Sequence, residues 1–341
     1  MPRQDRVTGS ASRVTIATIA RELGVHPSTV SRALSGGPTR ISAARAARIR
    51  EVATRMGYTP DPWARSLRTR RSGMLGLVVP RLTDGVLAKM FEAAEDFARA
   101  AGYQAVTLST RDKDGEEGRL VQALIDRRVE GVILATATLI DPLLDELEAQ
   151  GLPFVLLNRR SGIHPVVRGD DVRGGYLATR HLISNGHRDI GFISGPSGVS
   201  TAEDRRAGYE RALTEASINV DPGRVVESSF AADGGVRAAS VLLGRADRPT
   251  AIFAVNDATA LGAMAVARDL GLAIPEGLAI VGYNDTEVAA LLPVPLSSVA
   301  VPVDEMGRVA VEVLLERVAG LPARSVVMEP QLVARASSAA P

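Results

Sequence analysis

The sequence predicts two kinds of architecture in one chain of 341 residues, a small all-α headpiece followed by a large α/β body. Three observations carry this. Residues 14–58 place apolar side chains at helical spacing in three short segments. From Met74 onward, short apolar runs alternate with amphipathic stretches, the pattern of buried parallel strands joined by crossover helices. Charge is also divided: residues 1–72 hold fourteen Arg, no Lys and four acids, a net +10 that leaves −9 for the rest of a chain whose total is +1.

In the first segment Thr15 is placed to cap a helix, and Ile16, Ile19, Ala20 and Leu23 fall on one face, ended by Gly24. The second begins at Pro27, whose missing N–H is harmless at a first helical position, and anchors through Val30 and Leu34. Ser28, Thr29, Ser31 and Arg32 then stay outside. Ser42 is placed to cap the third, whose buried stripe is Ile49, Val52, Ala53 and Met56 and whose stop is Gly57. Three such helices with a Gly turn between the first two form a helix-turn-helix, whose second helix is free to enter a DNA major groove. Apolar periodicity alone suits any three-helix unit. The basic excess confined to this one is the footprint of a module that binds phosphates.

Residues 1–13 read as a disordered basic arm, 14–58 as the helix-turn-helix domain, and 59–73 as a hinge helix and linker. In TPDPWARSLRTRRSG, Asp61 can cap, and Trp63 to Leu67 make at most two helical turns, too short to hold in water without a partner surface. Leu67 is an apolar residue in a basic linker, costly to expose and suited to prying open a base step.

In the body, residues 74–341, the runs MLGLVV, YQAVTL, GVILA, PFVLL, DIGFIS, AIFAV and LAIVGY are candidate strands. Helices are expected over 87–100, 116–128, 141–150, 174–184, 202–216, 257–270 and 305–318. A body of this length exceeds one typical sheet, so two subdomains with a cleft are expected.

The chain has no Cys, which excludes disulfides and thiolate metal sites, and no apolar run of membrane-spanning length. The charged start MPRQDRVTGSASR is not followed by an apolar core, so a signal peptide is not expected and a cytoplasmic location is. His26, His164, His181 and His187 have neither metal-ligand spacing nor a nucleophile beside them, and no phosphate loop accompanies the Gly174-Gly175 or Gly234-Gly235 pairs. No cofactor, metal or catalytic residue is therefore expected. Asp170-Asp171 and Asn284-Asp285 fall at apparent strand ends, where ligands bind in open α/β sheets.

The helix-turn-helix beginning VTIATIARELGV, the TVSRAL stretch and the MGYTPDPWARSLR hinge resemble the lactose-repressor (LacI/GalR) family of bacterial transcription regulators, and the likeness runs from Val14 to about Ala334. The resemblance implies a periplasmic-binding-protein-like body, with subdomain 1 near 74–170 and 303–328, and subdomain 2 near 171–302 and 329–337. It implies a regulator, expected to be a repressor, that binds a pseudo-palindromic double-stranded operator as a homodimer and is controlled by a small effector in the cleft. Pro27 and Ser28 fall at its base-reading positions, with Arg32 one turn on. Arg32 is the main candidate reader because a guanidinium can hold guanine O6 and N7 together. Thr15, Thr29, Ser31 and Arg65 are placed as phosphate contacts. Leu67 matches the family's hinge leucine, which wedges between base steps. Two features depart from the family pattern: His26 stands where a capping Ser or similar residue is commoner, and Pro27 offers no long polar side chain.

The resemblance also places Asn158, Arg205, Phe230, Asn256 and Asn284 at effector-contacting positions, and Leu261, Met264 and Leu292 at the dimer surface. That set suits a sugar or related polar metabolite. With amides at Asn158 and Asn284 where carboxylates are frequent, Arg205 is left to pair with a charged group, which favours a sugar acid or phosphate over the neutral sugar that remains the alternative. Residues 83–87 contain no aromatic, against a stacked purine. After Ala334 there is no heptad helix, so a tetramer of the lactose-repressor kind is not expected. Two other classes share parts of the pattern. An exported sugar-binding protein has no use for the basic headpiece, and a nucleotide-dependent enzyme needs a phosphate loop.

Overall fold

The computed structural model describes residues 14–34, 41–58, 71–113 and 115–339, in two compact units that divide at Ser72 and Gly73. In the first unit, α1 (Ile16–Leu23), α2 (Pro27–Leu34) and α3 (Ala43–Arg55) enclose a core of Ile19, Val30, Ile49 and Val52, each at most 1% exposed. Thr15 caps α1 in a reciprocal pairing with Thr18, and Gly24 ends it in the left-handed conformation. Ser42 holds the N-cap position of α3 without a side-chain hydrogen bond.

The second unit contains two six-stranded sheets. The first comprises β1 (Met74–Val79), β2 (Gln104–Ser109), β3 (Gly131–Leu134), β4 (Phe154–Leu157), β5 (Val166–Gly169) and β11 (Val326–Met328), all parallel, in the order β11-β5-β4-β3-β1-β2. The second comprises β6 (Ile190–Ser194), β7 (Val225–Glu227), β8 (Ala251–Ala254), β9 (Ala279–Asn284), β10 (Ser297–Ala300) and β12 (Gln331–Val333), in the order β12-β10-β9-β8-β6-β7, with β12 antiparallel to β10. The two orders are one pattern used twice.

Helices cover both faces of each sheet. Around the first, α4 (Gly85–Ala100) and α12 (Val303–Val318) pack on the face that carries Leu75, Leu77 and Ile133, and α5 (Glu116–Asp126) and α6 (Pro142–Ala149) on the face with Val78, Val132 and Phe154. Around the second, α7 (Asp171–Ser184) and α8 (Ser200–Glu215) cover Phe192, Phe253 and Val281, while α9 (Ala232–Leu243) and α10 (Asp257–Asp269) cover Ile193, Ile252 and Ile280. A short α11 (Glu287–Leu291) follows β9. Strands apolar at every position are buried on both faces, the reason their sequences do not alternate.

The chain passes between the sheets three times, at 169–171, 300–303 and 328–331. Sequence periodicity did not reveal β5, β7, β10, β11 or β12, which are three or four residues long, nor α9, which contains the Gly234-Gly235 pair. Those glycines are explained by packing. A Cβ on Gly235 would collide with the Thr259 carbonyl in α10, just as one on Gly175 in α7 would collide with the Arg205 carbonyl in α8. Both helix pairs cross at backbone contact.

Candidate functional site

In the headpiece, Pro27, Ser28 and Arg32 are exposed along α2, with Thr29 and Ser31 half-buried beside them and Thr15 exposed at the start of α1. His26 does the capping that a hydroxyl would do elsewhere: its Nδ1 accepts from the Ser28 N–H at 3.2 Å and lies 2.8 Å from the Ser28 hydroxyl. Arg32 folds back along its own helix, donating to the Ser28 carbonyl at 3.1 Å and to its hydroxyl at 3.3 Å. A base contact by Arg32 exchanges these exposed bonds for others and loses little by it. Arg65 and Leu67 lie outside the described residues.

In the body, a cavity of about 850 Å³ opens between the C-terminal edges of the two sheets. In α/β folds this edge is where ligands bind, because loops and helix N-termini converge there. Phe230, Asn256 and Asn284 line it. Asn256 is 6% exposed; its amide oxygen accepts from the Thr259 N–H to cap α10, and its amide nitrogen donates to the Phe230 carbonyl at 2.8 Å. The residue thus fixes both the helix start and the aromatic beside it.

Two expected contacts sit elsewhere. Arg205 is 3% exposed and is not part of the cavity lining. Its Nε donates to Asp171 at 2.8 Å, its Nη1 to the Val255 carbonyl at 2.6 Å, and its guanidinium lies 3.6 Å over the Tyr283 ring. Here it joins α7, α8 and β8. The expectation that amides elsewhere free it to hold an anion is corrected by this pairing, since Asp171 already supplies the counter-charge. Asn158 also lies outside the lining and follows β4 at φ 69°. Asn284 has φ 94°. Asn tolerates this left-handed region better than most residues, which accounts for both amides without reference to ligand charge.

The residue after Asn158 is the one that reaches the cavity. Arg159 lines it, donates to the Thr136 carbonyl at 3.3 Å and stands 5.8 Å from the Phe230 ring centre. Burial draws its guanidinium below the usual value, opposed by the carboxylates of Asp112, Asp84 and Glu117. Glu117, which accepts from the Thr136 hydroxyl, is pushed by burial up to about 7. The next residue, Arg160, makes two bonds to Asp204 of α8, at 2.5 and 3.0 Å, and its backbone N–H donates to Ser200. A strand end of the first sheet is thereby clasped to the helix that follows β6 in the second. Sequence reasoning missed Arg159, Glu117 and the clasp; the one available signal was the Arg pair directly after the apolar run PFVLL.

Leu261, Met264 and Leu292 are each half-buried, and Met264 and Leu292 pack partly on the second sheet's core. Exposed apolar side chains occur on the same flank of the sequence: Val236 and Val241 in α9, Leu270 after α10, and Val288 and Leu291 in α11. No described helix is long and apolar enough to cross a membrane.

Two family models match the chain: the lacI family of bacterial regulatory proteins over residues 15–61, and the periplasmic binding protein-like domain over 179–338. The chain is 35% identical to the ribose operon repressor of Haemophilus influenzae, over 95% of this chain and 98% of that protein. It is 32% identical to the HTH-type transcriptional regulator DegA of Bacillus subtilis, over 96% and 98%. Among solved structures it matches the lac repressor dimer bound to operator and the anti-inducer ONPF, with a TM-score of 0.87, 26% identity and coverage of 95% and 99%. It also matches the transcriptional regulator CelR–cellobiose complex, at 0.74, 32%, 95% and 100%. The fold and the site together define a DNA-binding transcriptional regulator with a small-molecule sensor. The chain belongs to the lacI family of bacterial regulatory proteins.

Proposed function

We propose that this chain is a repressor that acts as a homodimer in the cytoplasm, on a pseudo-palindromic operator, and that a sugar or sugar derivative in the body cavity sets its affinity for DNA. The observation that carries the reading is the cavity at the strand C-termini of a chain that also bears the exposed face of α2. Phe230 can lie against a ring face, while Asn256 and Asn284 can donate to and accept from hydroxyls, the chemistry a sugar presents. Relatives support a sugar: one is a ribose operon repressor and another is held as a cellobiose complex. The reading assigns binding and no catalytic step.

On DNA, α2 lies in the major groove, with Arg32 on a guanine and Pro27 and Ser28 against neighbouring bases. Thr15, Thr29, Ser31 and Arg65 contact phosphates, and Leu67 enters a base step at the operator centre. Two copies meet through the flank that carries Leu261, Met264 and Leu292, which the exposed apolar residues of α9 and α11 extend. Selection of bound duplexes from a random pool tests this. The expected product is a two-half-site sequence. Arg32→Ala is expected to lose about 1–3 kcal/mol on that sequence and to relax preference at one position per half-site. Equal losses on selected and random duplexes would make Arg32 a phosphate contact.

A further inference from the structure

At the end of β9 two successive residues other than glycine take positive φ, Asn284 at 94° and Asp285 at 49°. Such a pair persists only where its surroundings over-determine it. Asn284 and Thr286 line the cavity, so the shape of this turn decides where two of its polar side chains sit.

Hydrogen bonds to the next strand and helix fix the turn on one side. The Asp285 N–H donates to the Ser298 hydroxyl of β10 at 3.0 Å, which donates in turn to Asp257 of α10 at 2.6 Å. Asp257 also accepts from the Thr286 N–H and hydroxyl, at 2.7 and 2.8 Å. This arrangement brings two carboxylates to one turn. Burial raises the Asp257 carboxyl above its usual value, hydrogen bonds from Ser298 and Thr286 oppose this, and the charge of Asp285 adds to it. Like charges so placed push the turn apart unless one of them is paired.

Arg335 supplies the pairing from outside the cavity lining. Its Nη1 donates to the Asp285 carboxylate at 2.6 Å and to the Leu296 carbonyl at 2.8 Å, which ties the turn to the start of β10. The segment after β12 holds the arginine itself. The Arg335 N–H donates to the Ser297 hydroxyl at 2.7 Å. Ser337, fully buried, accepts from the Ser297 N–H at 2.8 Å and donates to the Ile280 carbonyl at 2.6 Å. A charge-assisted bond from a backbone anchored on two strands loses little freedom in forming.

We propose that Arg335 is a positioning residue of the effector site: by holding Asp285 against β10 it keeps Asn284 and Thr286 turned into the cavity. The role rests on the reading of the cavity as the effector site and adds to it a residue outside the lining. Arg224 provides a control for a merely structural arginine. It is 9% exposed and pairs with Asp189 and Asp247 at the opposite, N-terminal edge of the same sheet.

The test titrates the full chain with glucose, galactose, xylose and ribose, their aldonates and their phosphates, by thermal shift and calorimetry. The wild-type chain is expected to bind at least one of them, and Arg335→Met to bind that compound about tenfold or more weakly. Arg335→Lys is expected to keep part of the affinity, and Asp285→Asn added to Arg335→Met to recover part, because it removes the repulsion. Arg224→Met is expected to lower unliganded melting and to leave affinity unchanged. Should Arg335→Met fail to fold, Arg335→Lys carries the comparison, with an expected affinity below wild type. Affinity unchanged in the Arg335 variants, or lost equally in Arg224→Met, overturns the positioning role and leaves the effector site standing. No binding of any compound by the wild-type chain overturns both.

Discussion

The two walls of the cavity are built from the same strand order and do different chemistry. The first-sheet wall is mostly ionic, with Arg159, Glu117 and the Arg81–Asp112 pair, while the second presents Phe230, the amides of Asn256 and Asn284 and a single carboxylate, Asp257. A duplicated scaffold fixes where loops converge and leaves each set of loops free to carry its own side chains. The contrast extends to two arginines. Arg205 in the second half is sealed against Asp171, and Arg159 in the first faces the cavity, forms no ion pair among the described residues and is opposed at longer range by Asp112, Asp84 and Glu117.

That contrast can be broken at Arg205 with the largest effect. Arg205→Met leaves the Asp171 carboxylate, 2% exposed, without its partner, and the expected loss is about 3–5 kcal/mol in urea unfolding. Adding Asp171→Leu is expected to recover much of it. Arg159→Met is expected to change stability by less than about 1 kcal/mol or to raise it, since no buried ion pair is lost. Equal losses for the two single variants would erase the distinction.

A smaller effect tests the second wall. Asn256→Ala removes the cap of α10 and the tether to the Phe230 carbonyl, with an expected loss of about 0.5–2 kcal/mol. Ligand affinity is expected to fall further than that of Phe230→Ala, because both the amide and the aromatic are displaced. A ligand affinity unchanged in Asn256→Ala would remove the residue from the site.

The site was legible where its residues begin helices or end long apolar runs. Phe230, Asn256 and Asn284 belong to segments that match a family pattern, and the structure puts all three in the cavity. Asn158 and Arg205 match equally well and are not in the lining, because sequence gives a position along the chain and not the direction of a side chain. One left-handed residue after β4 separates the two outcomes: Asn158 lies outside the lining and Arg159 within it. Most of the long strands were legible as continuous apolar runs. The edge strands β7, β11 and β12 are short and only partly buried, so no such run marks them. The clasp of Arg160 to Asp204 joins residues 44 apart and has no local signature.

A pH-dependent effect concerns protonation of the first wall. Glu117 has its pKa raised from 4.5 to about 7 by burial, so between those values the folded chain holds a proton that the unfolded chain has released. Stability contributed by this group is expected to decline as pH rises from about 4.5 to about 7 and to level off above. Glu117→Gln is expected to flatten that slope, read by urea midpoints across the window. Parallel pH profiles for the two proteins would place the charge of Glu117 in ordinary solvent.

The central claim is that occupancy of the cavity governs DNA binding, and titration of a selected duplex measured by fluorescence anisotropy tests it most directly. With the charged and neutral sugars present in turn, the account predicts that at least one compound shifts the affinity of the wild-type chain for its duplex. It predicts that the shift is abolished in Phe230→Ala and Asn284→Ala, while DNA affinity without the compound is retained. A shift that persists in both variants, or DNA affinity indifferent to every compound, would contradict it.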